Sequence, residues 1–172
     1  MKKTVLLTTI TSLLLLLASA SLASEDASKL IAEGNRLWSE NKVEDAEVSF
    51  KKAIEADPDS PEAYGRLGAL LMVQNRGDDA IAAYQEAITR DSENAKYFAA
   101  LSIAYLHKGY HAMAKEMVER AIELDPNMKN AKDITKYIDA KMERMAEASS
   151  AQEHKNGNDP HANVVPAPAG EK

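Results

Sequence analysis

Residues 61–94 read PEAYGRLGALLMVQNRGDDAIAAYQEAITRDSEN, and their spacing of small, apolar and aromatic residues recurs in the 34 residues on either side. Three units therefore align without a gap, at 27–60, 61–94 and 95–128. A fixed period of this length indicates a stack of similar structural units. The four columns that carry the alignment are Gly34, Gly68 and Ser102; Ala46, Ala80 and Ala114; Phe50, Tyr84 and Val118; and Ala53, Ala87 and Ala121.

Each unit predicts two helices with a short break between them. In the first half of the middle unit, Tyr64, Leu67 and Leu71 recur at helical spacing. Asn75 and Gly77 then stand at the break, where helix-ending residues are required. Alanine and glycine occupy the columns where two helix backbones must approach closely. The predicted fold class is all-α, an α-α superhelix built from helix pairs.

These columns resemble the tetratricopeptide repeat (TPR), a helix-turn-helix unit of 34 residues with the pattern W-x2-L-G-x2-Y, A-x3-F, P. The resemblance covers about 102 of the 172 residues. Glu33 stands where the family has leucine, and Ser102 and Ser92 replace glycine and proline. A terminal repeat lacks a neighbour on one side, which accounts for Glu33. The resemblance implies a short TPR solenoid of three repeats.

Residues 129–148 predict a seventh helix, similar to the helix that covers the end of a TPR stack. From Ser149 onward the composition shifts to Ser, Gln, Asn, Gly, Pro and Ala, so 149–172 is predicted to be disordered. The apolar face expected on the capping helix consists of Ala131, Ile134, Ile138, Met142 and Met145.

Residues 1–23 predict a secretory signal peptide. Lys2 and Lys3 precede an uncharged, leucine-rich stretch that ends in small residues. Cleavage is expected after Ala23 rather than Ala20, and an uncleaved anchor is the alternative, because about 20 apolar residues span a bilayer. Both alternatives leave the rest of the chain outside the cytoplasm. We therefore expect an exported protein, periplasmic or secreted.

Charge and composition exclude several classes of partner. The net charge is −6, and an acidic chain repels the phosphates of nucleic acids. A basic amphipathic face for an anionic membrane surface is missing from the sequence, so no membrane contact is expected beyond the signal segment. The sequence has no cysteine, so the fold is expected to hold without disulfides.

Motifs for catalysis are also missing from the sequence. It has no G-x-S-x-G, no H-E-x-x-H and no glycine loop of the phosphate-binding type. His107 and His111 lie four residues apart, but Gly109 between them is expected to end the helix, so no metal site is predicted. We expect no catalytic residue, no cofactor and no enzymatic activity.

The TPR resemblance implies where a partner binds. Stacked TPR units curve, and the first helix of each unit lines the concave side. A protein or peptide segment is expected there, with Trp38 as an apolar anchor. The alternative for Trp38 is packing in the core against Val43. The residues expected in this concave groove are Asn35, Trp38, Arg66, Met72, Val73, Lys96, Ile103 and Leu106.

Some TPR proteins clamp the C-terminal carboxylates of a partner with five polar residues. Asn35 and Lys96 match that set, whereas Ile31, Arg66 and Ala100 depart from it. These departures argue against a double-carboxylate clamp, and a single carboxylate held by Arg66 and Lys96 is left as an alternative.

The expected function is that of a non-catalytic adaptor of the cell envelope that binds a partner segment in the concave groove. The alternative is a self-assembling scaffold, a homo-oligomer that uses the same repeat surfaces. A molecular mass that rises with concentration would distinguish the second from the first.

Overall fold

The computed structural model describes residues 24–155, which form seven helices and no strand. The predicted signal peptide and residues 156–172 lie outside the described residues. The helices are α1 (24–39), α2 (Val43–Ala56), α3 (Pro61–Val73), α4 (Gly77–Arg90), α5 (Ala95–His107), α6 (His111–Leu124) and α7 (Lys129–Lys155). The predicted all-α solenoid is confirmed.

Helices α3 and α5 begin at residues whose side chains cap them, whereas α2, α4 and α6 have no side-chain cap. Ser60 caps α3 by accepting a hydrogen bond from the backbone N–H of Ala63, and Pro61 follows at the first helical position. Asn94 caps α5 in the same way, through the backbone N–H of Lys96. The turn inside each helix pair contains a residue with positive φ, which a helix-ending turn needs. These residues are Asn41, Asn75 and Gly109.

The core lies between the two helices of each pair and between successive pairs. The alanine columns are fully buried, and in the first two repeats the glycine column lies against an aromatic ring of the second helix. A Cβ added to Gly34 would lie 2.5 Å from Cε1 of Phe50, and one added to Gly68 would lie 2.9 Å from Cε1 of Tyr84. The aromatic ring of the second helix therefore packs directly on the glycine backbone of the first helix.

Helix α7 differs from the predicted capping helix at its C-terminal end. The prediction ended it at residue 148 and placed disorder from Ser149, whereas the helix continues to Lys155. Serine, alanine and glutamine follow residue 148, and none of them breaks a helix as Gly157 or a proline would. The composition change was therefore wrongly equated with a helix end.

The capping role of α7 is confined to its first half. Ala131 and Ile138 are fully buried against the stack, and Ile134 packs beside them. Residues 141–152 are all exposed, including Met142 and Met145 of the predicted apolar face. Within 24–155, none of the helices has both the length and the apolar character that a membrane span requires.

Candidate functional site

The first helices of the repeats line the inner side of the solenoid. Helix α3 contacts α5 directly, and α5 contacts α7, whereas the described residues show no contact between α2 and α4 or between α4 and α6. The odd-numbered helices are therefore closer together, and their side of the stack is concave. This is the side on which the concave groove was predicted.

The tryptophan cavity, of about 510 Å³, lies between the first and second repeats. The half-buried Trp38 ring packs edge-on against Phe50, with the ring centroids 6.4 Å apart. The two alternatives for Trp38 are therefore compatible, because the ring contacts the core and also faces the cavity. The residues that line the tryptophan cavity are Asn35, Trp38, Ser39 and Arg66.

The lysine cavity, of about 560 Å³, lies between the second and third repeats and shares Arg66 with the tryptophan cavity. Its floor is formed where the Tyr97 ring lies on Gly65, since a Cβ at Gly65 would be 2.6 Å from Cε1 of that ring. Burial, together with Asp91 and Glu62, raises the pKa of Tyr97, so its hydroxyl stays neutral. The lining residues are Glu62, Gly65, Arg66, Ala69, Tyr84, Asn94, Lys96, Tyr97 and Ala100.

The cations of these two cavities differ in how far they are neutralised. Arg66 lies 3.5 Å from the carboxylate of Glu62, a long and exposed contact. Lys96 is exposed and makes no ion pair with any carboxylate in the described part of the chain. Both cations can therefore approach a carboxylate of a bound partner.

Two more cavities lie at the other end of the third repeat's first helix. The turn cavity, of about 380 Å³, is lined by Met72, Asn75, Arg76, Gly77, Asp78, Asp79, His107 and Lys108. The junction cavity, of about 620 Å³, lies where α5 meets α7 and is lined by Ile103, Leu106, His107, Lys108, Gly109, His111, Tyr137 and Lys141. His107 and Lys108 border both cavities.

The structure divides the predicted groove residues among these cavities. Asn35, Trp38 and Arg66 meet in one cavity, and Arg66 and Lys96 meet in the next. Ile103 and Leu106 line the junction cavity instead. The other two predicted groove residues lie apart from these. Met72 packs partly into the core beside the turn cavity, and Val73 is 66 % exposed.

The departures from the five-residue clamp have structural counterparts. Ile31 is buried in a core cluster with Ala53 and Ala63, so its position faces the interior. Ala100 lines the lysine cavity, where its short side chain leaves space beside Arg66 and Lys96.

Sequence reasoning missed several residues that line the cavities, among them Gly65, Tyr97, Tyr137 and Lys141. Gly65 occupies the repeat position that Ile31 has in the first repeat. A glycine in place of a large apolar residue could have indicated that another side chain lies close to the backbone there. Tyr97 lies beside Lys96 in sequence and carried no pattern of its own. Tyr137 and Lys141 were missed because α7 was interpreted only as a cap.

The titratable groups around the cavities include hydrogen-bond donors and cations. No three of the His, Asp and Glu side chains within residues 24–152 lie close enough together to hold a metal ion. Burial raises the pKa of Tyr84 to about 12, which keeps its hydroxyl neutral beside the lysine cavity. The arrangement can therefore offer apolar surface, hydrogen-bond donors and two cations to a partner.

Two family models match the chain, and both describe a tetratricopeptide repeat. One matches residues 31–95 and the other matches residues 95–128. Together they cover more than half of the chain, and they coincide with the repeats read from the sequence.

A solved structure with a similar fold is the first TPR of Spaghetti (RPAP3) bound to the HSP90 peptide SRMEEVD. Its TM-score is 0.67 at 22 % sequence identity, and the match covers 69 % of this chain and 94 % of that one. At this level of identity the similarity concerns the fold.

Two relatives illustrate how the repeats recur in larger proteins. Small glutamine-rich tetratricopeptide repeat-containing protein 2 of Mycosarcoma maydis is 30 % identical over 133 residues, which is 77 % of this chain and 36 % of that protein. The probable UDP-N-acetylglucosamine--peptide N-acetylglucosaminyltransferase SPINDLY of Solanum lycopersicum is 34 % identical over 97 residues, which is 56 % of this chain and 10 % of that protein. The chain thus spans only a minor part of each relative.

Proposed function

We propose that this chain, which belongs to the tetratricopeptide-repeat family, is a non-catalytic adaptor that binds a protein or peptide segment in its concave groove. One observation carries the proposal. The tryptophan and lysine cavities meet at Arg66, so a single surface runs across all three repeats from Trp38 to Lys96. The solved TPR structure bound to a peptide supports the proposal by analogy of fold.

Binding would use a surface that exists before the partner arrives. The groove side chains are carried by helices whose packing is fixed by the buried columns, so little conformational entropy is lost on binding. The half-buried Trp38 ring offers a rigid apolar anchor, and aromatic anchors often dominate interface energies. Arg66 and Lys96 add cations, and we assign them one carboxylate of the partner.

The setting we propose is outside the cytoplasm, periplasmic or secreted, on the basis of the first 23 residues. Expression of the whole sequence followed by cell fractionation and intact mass measurement tests this. We expect the recovered chain to be exported and to begin at Ser24. A chain that stays in the cytoplasm at full mass would contradict the proposal.

The binding site is tested by retention of partners on the immobilised chain from an extract of the exported compartment. The first variant, Ser39→Glu with Arg66→Glu, adds negative charge to the tryptophan cavity while the Trp38–Phe50 contact stays in place. The second variant, Trp38→Ala, removes the anchor itself. The matched control, Val48→Ala with Arg120→Glu, alters exposed residues of α2 and α6.

A partner retained by the parent and the control but lost from both groove variants would support the proposal. Circular dichroism of each variant establishes that the helices still form. Equal retention by the parent and the Ser39→Glu, Arg66→Glu variant would contradict a groove site. Crosslinking followed by peptide mapping then identifies the segment of the partner that touches α1 and α3.

A self-assembling scaffold is the second candidate, and exposed apolar side chains on α7 favour it. Tyr137 and Met145 are both at least half exposed, and Met142 lies between them. Sedimentation across a range of concentrations tests this candidate. A mass that rises with concentration, and falls back in a Tyr137→Ser, Met145→Ser variant, would support it. A constant monomer mass would exclude it.

A further inference from the structure

The start of α6 carries exposed apolar side chains where the other two repeats carry charges. Tyr110 and Met113 are 45 % and 42 % exposed. The residues at the same two repeat positions are Lys42 and Asp45 in the first repeat and Arg76 and Asp79 in the second. Among the second helices of the repeats, only α6 has no acidic residue in its first turn, where one would stabilise the helix dipole. Met113 therefore exposes apolar surface at a position where an acid would serve the helix better.

Two carboxylates beside this apolar pair have no ion-pair partner. Within residues 24–152, every Asp, Glu, Lys and Arg of α4 and α6 is in an ion pair except Glu116 and Glu119. Both are exposed, and they follow Met113 at intervals of three residues, which makes them neighbours on the helix surface. The α6 face, defined as Tyr110, Met113, Glu116 and Glu119, is therefore apolar at one end and negative at the other.

The α7 helix of the same molecule does not cover the α6 face. Lys115 follows Met113 by two residues and so lies about 200° away from it around the helix. Lys115 is the residue that faces α7, since its ammonium lies 2.7 Å from the Asp139 carboxylate. Met113 is thus on the opposite side of α6 from α7, and a cover for it has to come from another molecule.

The exposed half of α7 has the opposite combination of charge and apolar surface. Met142 and Met145 are exposed and three residues apart, so they are neighbours on one side of the helix. Lys141 and Arg144 stand beside them, and neither is in an ion pair within residues 24–152. The acids nearest to Met145 are two residues away on either side and so lie on the far side of the helix. The α7 face, defined as Lys141, Met142, Arg144 and Met145, is therefore apolar and positive.

We propose that the α7 face of one copy of this chain binds the α6 face of a second copy. The two methionines of the α7 face would lie on Tyr110 and Met113, and its two cations would pair with Glu116 and Glu119. Each face carries charges of one sign only, so pairing of a face with its own kind is repulsive. A contact between two different faces joins copies head to tail, and it ends only when a ring closes.

This inference rests on self-assembly, the second candidate given under the proposed function, and names the two surfaces that meet. It uses no residue of the tryptophan or lysine cavities. Peptide binding in the concave groove and head-to-tail association therefore involve separate residues, and each can be tested without the other.

Sedimentation equilibrium of the purified chain over a range of concentrations tests the contact. We expect a mass that rises beyond that of a dimer, and an association that weakens as salt is added, because salt screens exposed charges. One variant, Glu116→Lys with Glu119→Lys, reverses the α6 face, and another, Lys141→Glu with Arg144→Glu, reverses the α7 face. Each is expected to weaken association about tenfold, since two attractive pairs become repulsive.

An equimolar mixture of these two variants is the decisive sample. Each variant alone has two faces of the same sign, whereas in the mixture every face meets one of opposite sign, so association is expected to return. The matched control, Lys132→Glu with Lys136→Glu, makes the same charge change on the far side of α7 and is expected to associate as the parent does. Circular dichroism establishes that the helices of each variant form.

The apolar part of the contact is tested by Met113→Asn. Asparagine has the size of the aspartate at this position in the first two repeats and adds no charge, so the helix is expected to form. Association is expected to weaken several-fold because the apolar surface is lost. Unchanged association of this variant would contradict the assigned contact.

The outcomes separate this inference from the functions proposed above. A constant monomer mass would refute both self-assembly and this inference, and the retention experiment on the groove would decide the adaptor function by itself. If the mass rises but the mixture does not associate, the copies meet through other surfaces, and the head-to-tail contact is wrong. If the chain is monomeric and a foreign protein is lost only from the Glu116→Lys, Glu119→Lys variant, the α6 face binds that protein instead of a second copy.

Discussion

The first two repeats and the third repeat solve the same packing problem with different side chains. In the first two, a glycine backbone meets an aromatic ring, Phe50 on Gly34 and Tyr84 on Gly68. In the third, Ser102 and Val118 occupy the same two columns, and both side chains are fully buried. A larger residue on the first helix is thus matched by a smaller one on the second. The side chains in the two columns therefore keep a similar summed volume in each repeat, although the residue types differ.

The largest expected effect comes from placing the serine of the third repeat at the glycine position of the first repeat, without the valine that accompanies it. Gly34→Ser places a Cβ 2.5 Å from the Phe50 ring and buries a hydroxyl beside it. Overpacking of this kind and an unpaired hydroxyl together are expected to lower the free energy of unfolding by about 2–3 kcal/mol. Urea denaturation followed by circular dichroism measures the change.

The double variant Gly34→Ser, Phe50→Val tests whether volume is what matters. It copies the serine and valine of the third repeat, so the clash is removed although a large side chain is lost. We expect a favourable coupling energy of about 1–2 kcal/mol relative to the sum of the single variants. Simple additivity of the two single changes would refute the volume argument.

The packing of the repeats could be predicted from the sequence because it depends on periodic contacts. The columns of Gly34 and Ala46 fixed the helix pairs, and the positive φ of Asn75 follows from its place at a break. Tyr97 could not be assigned, because its contact with Gly65 depends on the angle between two repeats. The same holds for Lys141, since a 34-residue period contains no information about a helix outside the repeats.

The two junctions between repeats also differ in their polar contacts. Between the first and second repeats, the Glu47 carboxylate is only 12 % exposed and contacts Lys51 at 2.7 Å and Arg76 at 2.9 Å. Lys51, with Arg76 and Gln74, lowers the pKa of Glu47 to about 2, although partial burial opposes the shift. Between the second and third repeats, the ion pair is Asp78 with Lys108, at different repeat positions, and Asp78 is largely exposed.

The second prediction is that Glu47→Gln destabilises the fold by about 1–2 kcal/mol at pH 7, since a lowered carboxyl pKa is a stability contribution. The contribution of Glu47 is present above its ordinary pKa of 4.5 and is lost as the pH falls towards 2. The difference between parent and variant should therefore shrink across that window. Denaturation curves at a series of pH values measure it.

The control for Glu47 is Asp78→Asn at the other junction. Its exposed ion pair with Lys108 is screened by solvent, so the unfolding midpoint is expected to stay within experimental error at every pH. If Asp78→Asn and Glu47→Gln have equal effects, the two junctions are equivalent, and the contrast between the repeats is confined to their apolar contacts.

The smallest effect concerns the hydroxyl that the third repeat has in place of glycine. The Ser102 Oγ is buried without a hydrogen-bond partner among the residues that the structure describes. Ser102→Ala keeps the buried Cβ and removes the unpaired oxygen, so it is expected to stabilise the fold by about 1 kcal/mol. Ser102→Gly removes the Cβ as well and should destabilise it by a similar amount, because glycine weakens a helix interior. Thermal melts should therefore rank alanine above serine and serine above glycine.

An alanine variant that melts below the parent would mean that the hydroxyl is bonded in solution, and the third repeat would then depend on a polar contact that the first two lack.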